Sequence, residues 1–171
     1  ICVDNIAKFT GGINPNKWIL YNPYDYKNFK FHNEDCRNWF KKNKDTDIDY
    51  SLHLAAMVGG RQIIEDEPMI VADDLSIDSS YWQWAVEARP KKTLCFSSSA
   101  SYPISLQKKN SYRLLKEEDI NLYKSIKLPD LTYGWAKLTC EYLAKIAFEK
   151  YNLKSICYRP FSGYGEDQDL S

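Results

Sequence analysis

The chain lacks any excess of charge: Lys and Arg together number 23, Asp and Glu also 23, and the formal net charge is zero. A balanced chain carries no electrostatic footprint for nucleic acid or for an anionic membrane surface, and neither is expected as a partner. Histidine is scarce, with only His32 and His53, so no histidine-based metal set can be assembled and no metal is expected. No apolar run reaches the roughly 20 residues that a membrane-spanning helix needs, and no signal peptide is visible. The five cysteines (Cys2, Cys36, Cys95, Cys140 and Cys157) are odd in number and form no CxxC pair. They suggest neither a zinc site nor a disulfide framework, and reduced thiols in a cytoplasmic protein are the expectation.

What is present suits one globular domain over residues 1–171. Hydrophobic residues make up 44% of the 171, enough to bury a core in a chain of this size. Aromatic residues reach 15%, thirteen of them Tyr, a supply that can serve a core, an interface or a sugar site. Ile1 opens the chain inside the apolar run Ile1-Cys2-Val3 with no methionine before it, and Ser171 follows a loop-like acidic stretch. Both ends read as cuts within a longer chain.

The hydrophobic pattern alternates between strand-length and helix-length segments. Ile1–Val3 reads as the end of a buried strand, closed by Asp4-Asn5 and the turn-rich 11–15. Residues 16–33 show no clear period and receive no assignment. Residues 35–42 suit a short helix and 48–54 a strand. Over 68–89 the apolar positions Ile70, Val71, Leu75, Tyr81, Trp82, Ala85 and Val86 recur at helical spacing, and Pro90 is the stop signal. Residues 93–96 form a short apolar strand running into Ser97-Ser98-Ser99, followed by a Lys- and Asn-rich loop over 107–121. Residues 132–151 predict a helix with Ala136, Leu143, Ala144, Ala147 and Phe148 on one side, and 155–158 a last strand. Strands alternating with helices of this length mean parallel βαβ units and an α/β fold. In such sheets ligands bind at the carboxyl ends of the strands, which here carry Asp4, His53 to Ala56, Ser97 to Ser101 and Arg159 to Tyr164.

Those strand ends carry the chemistry. An acidic residue such as Asp4, closing a strand of a dinucleotide fold, accepts hydrogen bonds from ribose hydroxyls and repels a 2′-phosphate, which favours NAD over NADP. Tyr133 and Lys137 stand at i and i+4, on one helix face. A neighbouring ammonium lowers a phenol's pKa from about 10 and makes tyrosinate accessible as a base. The YxxxK spacing also occurs at Tyr26–Lys30, Tyr112–Lys116 and Tyr123–Lys127, and these three read as solvated faces. Tyr133–Lys137 differs in opening the strongest helix, with Gly134 beside it. The serine cluster supplies a hydroxyl that can orient substrate and base, with Ser98 and Ser99 both open as the residue concerned. His53 reads as a packed or hydrogen-bonded histidine.

In chain order, Val3-Asp4-Asn5, His53-Leu54-Ala55-Ala56, Ser98-Ser99-Ala100 with Tyr102-Pro103, Tyr133-Gly134-Trp135-Ala136-Lys137, and the segment from Tyr158 to Gly165 resemble motifs of the extended short-chain dehydrogenase/reductase family. The likeness is to its nucleotide-sugar epimerase/dehydratase branch and spans almost the whole chain. The resemblance implies a Rossmann-like, doubly wound parallel sheet with NAD as cofactor and a nucleotide-sugar as substrate. It implies that Asp4 and Asn5 hold the adenosine ribose, that Asp35 and Cys36 lie near the adenine, and that Leu54, Ala55 and Ala56 pass the pyrophosphate and nicotinamide ribose. Ser99, Tyr133 and Lys137 would be catalytic, with Tyr133 and Lys137 also touching the cofactor, and Phe161 beside the nicotinamide. A homodimer through the helices near 70–88 and 132–150 is implied as well. The family's first strand with its Gly-rich phosphate loop is expected before Ile1 and the substrate lobe after Ser171, so that the sheet is incomplete and these residues alone are expected to bind NAD weakly or not at all and to fold poorly. Asp74 stands where an asparagine is usual, and Ser162 likewise. Met57-Val58-Gly59-Gly60 with Tyr102-Pro103 resembles the enzymes of GDP-mannose and its keto-deoxy derivative. An epimerase is the leading expectation; a dehydratase, a reductase or a non-catalytic nucleotide-binding scaffold are the alternatives.

Overall fold

The computed structural model describes residues 1–7, 12–57, 60–108, 110 and 112–165. Its strands are β1 (Cys2–Asp4), β2 (Phe31–Asn33), β3 (Tyr50–His53), β4 (Lys92–Phe96) and β5 (Ser155–Tyr158). The helices are α1 (Cys36–Lys42), α2 (Arg61–Asp66), α3 (Pro68–Val71), α4 (Asp73–Ala88) and α5 (Leu131–Tyr151). Every strand pairing is parallel: β1 with β2, β3 with β4, and β4 with β5. The fold is therefore α/β and Rossmann-like, in agreement with the alternation in the sequence.

Local chemistry sets the boundaries. Asp35 precedes α1, and its carboxylate accepts the Arg37 amide at 2.8 Å, satisfying one orphan donor of the first turn. Helix α4 ends where Arg89 turns left-handed (φ 57°) and Pro90 follows, since proline cannot continue a helix. Helix α5 ends the same way at Asn152 (φ 53°), a residue that tolerates this conformation.

Two helix readings need correction. The segment 68–89 is two helices with a break at Ala72, and Ile70 and Leu75 are exposed; its buried face is Val71, Ile77, Tyr81, Trp82, Trp84 and Ala85. On α5, Phe148 faces solvent, while Ala136, Cys140, Ala144 and Ala147 are buried. Small residues there let α5 approach α4 closely, so the Trp82 indole reaches the Cys140 sulfur at 3.4 Å. The core continues through Trp39, Phe40 and Trp84 to Cys95 and Leu153. Phe40 and Trp84 stack with centroids 5.2 Å apart, fastening α1 onto α4.

The strands fall into two sheets, β1-β2 and β3-β4-β5. Between them lies an open slot of about 540 Å³, lined by Val3, Asp4, Cys36, Trp39, Leu52 and Leu54 among others. Among the described residues β1 and β3 are not paired with each other. All five cysteines are free thiols; Cys95 and Cys157, opposite each other on β4 and β5, have sulfurs 3.1 Å apart. Among the described residues no helix is long and apolar enough to cross a membrane, and no cluster of ligating side chains could hold a metal ion. Val58 and Gly59 of the Met57-to-Gly60 motif lie outside the described residues.

Candidate active site

The carboxyl ends of β3, β4 and β5 are held by buried charged groups supplied by α4 and α5. After β3, the His53 ring lies flat against Tyr81 with centroids 4.0 Å apart and meets the Asp78 carboxylate at 2.7 Å. Four residues later the Met57 amide donates to Asp74, one turn earlier on α4. Leu54, Ala55 and Ala56 are thus suspended between two fastenings to the same helix face, with Leu54 exposed and the two alanines half-buried.

After β4, the serines divide their work. Ser97 donates to Glu141 at 2.5 Å and lies 2.9 Å from Ser101, both serines being buried. Ser98 caps the 3-10 turn Ser99–Ser101 by accepting the Ala100 amide at 3.1 Å. Ser99 is half-buried, and its backbone amide donates to the Pro160 carbonyl at 3.1 Å. That bond brings the ends of β4 and β5 together and places Phe161, exposed, with its ring 6.0 Å from that of Tyr102. Arg159 pairs with both Glu141 oxygens, at 2.8 and 2.6 Å. Burial works against the Arg159 charge, but the Glu141 carboxylate outweighs it and raises the guanidinium's pKa.

Tyr133 enters the site because α5 begins against the serine turn. The Asp130 amide donates to the Ala100 carbonyl at 3.0 Å, and Leu131 takes a left-handed φ of 46°, turning the chain sharply into the helix. A Cβ at position 134 would collide with that same Ala100 oxygen, so only glycine lets the first turn sit so close. Tyr133 is half-buried, and the Lys137 ammonium stands 5.4 Å from its ring centre. Lys137 is 4% exposed and lies 3.3 Å from Asp74, itself 1% exposed. Burial opposes the Lys137 charge, yet the Asp74 and Asp78 carboxylates outweigh it and hold the ammonium above its ordinary pKa. Burial pushes the Asp74 carboxyl up, with Lys137 and the Met57 amide pulling the other way.

Ser99, Tyr133, Lys137, Ala55, Ala56 and Phe161 therefore all belong to elements fastened together around the strand ends of the larger sheet. Asp4 and Asn5 close β1 of the other sheet, and Asp35 and Cys36 open α1 just after β2. Asp4 is exposed and accepts the Ile6 amide at 2.6 Å, and Asn5 accepts the Ala7 amide at 3.1 Å. The Asp35 carboxylate is taken up by Arg37, which also reaches Asp73 at 2.7 Å; the Arg37 hydrogen bond holds Asp35 below the usual carboxylate range. Burial, with Asp35 alongside, pushes the Cys36 thiol up to about 11. The slot between the sheets takes in Asp4, Cys36, Leu54 and Ala55 but stops short of Tyr133 and Lys137.

Glu141, Asp78 and the fastening role of Asp74 went unseen in the sequence. A signal existed, since Asp74 and Asp78 are four apart, and Tyr133, Lys137 and Glu141 follow each other at the same interval.

The sequence profile of the family described as NAD dependent epimerase/dehydratase matches residues 16–171. No curated protein sequence matches the chain. Solved structures share its fold. The UDP-N-acetylglucosamine 4-epimerase of Methanobrevibacter ruminantium M1, in complex with UDP-N-acetylmuramic acid, is 25% identical with a TM-score of 0.70, over 98% of this chain and 48% of that one. The UDP-glucuronic acid 4-epimerase of Bacillus cereus, in complex with NAD, is 22% identical with a TM-score of 0.64, over 97% and 49%. The UDP-glucose 4-epimerase of Thermotoga maritima, with UDP-glucose, is 18% identical with a TM-score of 0.65, over 92% and 45%. The chain spans 36% to 49% of the length of such structures. With a family profile matching most of its length and a fold to agree, the chain belongs to the NAD dependent epimerase/dehydratase family.

Proposed function

We propose that the protein is an NAD-dependent nucleotide-sugar epimerase in which Tyr133 is the base, Lys137 supports its charge and Ser99 orients the reacting hydroxyl. The observation that carries this reading is the seating of Tyr133. A glycine-dependent contact with the serine turn holds it in place, and a buried ammonium lies beneath its ring. A merely structural tyrosine has no use for a buried lysine that costs desolvation to keep there.

The serine assignment follows from the hydroxyls already in use. Ser97 donates to Glu141 and is bonded to Ser101, and Ser98 caps the turn. Ser99 is the member of the cluster left to face a substrate, which supports it over Ser98.

Residues of both sheets fit NAD. Asp4 is exposed and spends one oxygen on Ile6, leaving the other for a ribose hydroxyl, with Asn5 beside it. Asp35 and Cys36 would flank the adenine, Leu54, Ala55 and Ala56 the pyrophosphate and second ribose, and Phe161 the nicotinamide. Lys137 would reach the nicotinamide ribose as well as Tyr133. NAD would supply hydride acceptance and return at the sugar carbon, with no net redox change.

Tyr133 takes the proton of a sugar hydroxyl as that carbon is oxidised, and Ser99 holds the oxygen by a hydrogen bond. The Lys137 ammonium, kept charged by Asp74 and Asp78, offsets the negative charge arriving on the phenol oxygen. Tyr133 then returns the proton when the keto-sugar is reduced from the other face. The names of the neighbouring structures support a UDP-linked hexose as the substrate and carbon 4 as the reacting centre. Exposed Trp135 and Tyr142, seven apart on the outer side of α5, support pairing of two copies through this helix. Five free thiols support a reducing, cytoplasmic setting.

The test is turnover of UDP-hexoses by the natural gene product beside its Tyr133→Phe variant. Interconversion of two epimers that falls about a thousandfold in the variant, with folding unchanged, is expected. Release of a dehydrated keto-deoxy sugar would replace epimerase by dehydratase, and consumption of added cofactor would replace it by reductase. No turnover in either protein would leave a nucleotide-binding scaffold.

A further inference from the structure

Two buried carboxylates of α4 bear on the Lys137 ammonium. Asp74 of α4 is fully buried, with one oxygen on the Met57 amide and the other facing the ammonium at 3.3 Å. One turn further on α4, Asp78 is also buried, with one oxygen on His53 at 2.7 Å and the other unpaired. From α5, Tyr133 and Cys140 are the titratable groups that bear on Lys137. Glu141 of the same helix is spent on Arg159 and Ser97, and β3 contributes His53 only through Asp78. Lys137 therefore answers to Asp74 directly, and to Asp78, which also holds His53, before any charge forms on Tyr133. In a buried site these interactions are weakly screened, so the Asp74 charge draws on the same ammonium that an ionised phenol needs.

We propose that Asp74 is a positioning residue that sets how much of the Lys137 charge reaches Tyr133, and thereby places the acidic limb of turnover at higher pH than an uncharged residue there would. The inference rests on Tyr133 being the base proposed above. Asp74 acts through Lys137, whose ammonium it holds beneath the Tyr133 ring, and through the Met57 amide, which fixes the end of the Ala55–Ala56 segment. The two effects separate chemically, because an asparagine keeps an oxygen for Met57 and discards the charge.

The experiment compares the natural gene product with Asp74→Asn and Asp74→Glu in two readouts. One is the pH profile of kcat. The other is the ultraviolet tyrosinate titration, with the Tyr133→Phe version of each protein subtracted so that the Tyr133 signal stands alone. The proposal expects Asp74→Asn to move both the acidic limb and the tyrosinate midpoint to lower pH by about one unit, with Asp74→Glu restoring them towards the natural values. An unmoved midpoint in a folded Asp74→Asn protein, or a lowered kcat with an unchanged profile, would overturn it. If the natural protein turns nothing over, the functional reading fails, and the tyrosinate midpoint still decides the role of Asp74. If Asp74→Asn does not fold, Asp78→Asn removes the second carboxylate facing the same ammonium: a smaller shift in the same direction supports the proposal, and none overturns it.

Discussion

Among the described residues the two sheets are fastened by different kinds of contact. In the larger one, β3, β4 and β5 are hydrogen-bonded side by side, and the loop after each is fastened from within: Asp78 and Asp74 hold the end of β3, and Glu141 joins the serine turn to Arg159. In the smaller one, among the described residues, β1 and β2 pair only with each other, and the loop after β1 carries short-range turns from Asp4 and Asn5. Its ties to α4 include aromatic packing of Trp39 and Phe40 on Trp84, the Trp84 indole donating to the Asn43 carbonyl at 2.9 Å, and partly exposed bridges from Arg37 to Asp73 and from Lys44 to Glu87. Buried charge pairs are strict about geometry, because removing one partner strands the other; partly exposed pairs tolerate movement. The proposed proton-transfer residues thus sit among buried charge pairs, and the proposed nucleoside residues among short-range turns and partly exposed pairs.

The largest effect that would sharpen this contrast is Glu141→Ala, which leaves Arg159 and Ser97 without their carboxylate. A loss of about 3 kcal/mol in a denaturant titration is expected, and a loss below about 1 kcal/mol would show that the larger sheet is not held from within. Next comes Gly134→Ala. Its methyl group must push α5 off the Ala100 carbonyl, costing about 1–3 kcal/mol and moving Tyr133 with it. Turnover is expected to fall more than stability, and a fully active Gly134→Ala protein would break the link between this contact and the site. The smallest effect is at Asp35, where alanine removes the α1 cap and the Arg37 partner for about 1 kcal/mol. Because Arg37 depresses the Asp35 pKa, its contribution is present above the ordinary carboxylate range and disappears as pH falls through the lowered folded value. The gap in stability between the natural protein and Asp35→Ala should therefore close in acid, below about pH 4. A cost equal to that of Glu141→Ala would erase the difference between the two sheets.

The same contrast governs what could be read from the sequence. Strands β3, β4 and β5 and helices α1, α4 and α5 were legible because apolar runs, the Asp35 cap of α1 and the Pro90 stop after α4 announce them. Strand β2 was not: three residues, Phe31, His32 and Asn33, carry no period, and only pairing with β1 makes them a strand. Helix α2 buries none of its residues and has no side-chain cap, so neither periodicity nor capping signals it. Within the site, Tyr133, Lys137 and the serines stand out as motif residues, whereas Asp78 and Glu141 look like the solvated face of a helix. Charge spacing gives their positions, but burial comes from the packing of α4 and α5 through small residues such as Ala136, Cys140 and Ala144, a property of two segments about sixty residues apart.

The central claim is that both sheets serve one bound NAD beside a nucleotide-sugar. The direct measurement is to purify the natural gene product, denature it and identify the released small molecules by mass spectrometry. The account predicts NAD in near-equal proportion to protein, accompanied by a UDP-linked hexose. Recovery of neither NAD nor a nucleotide-sugar from folded protein would contradict it.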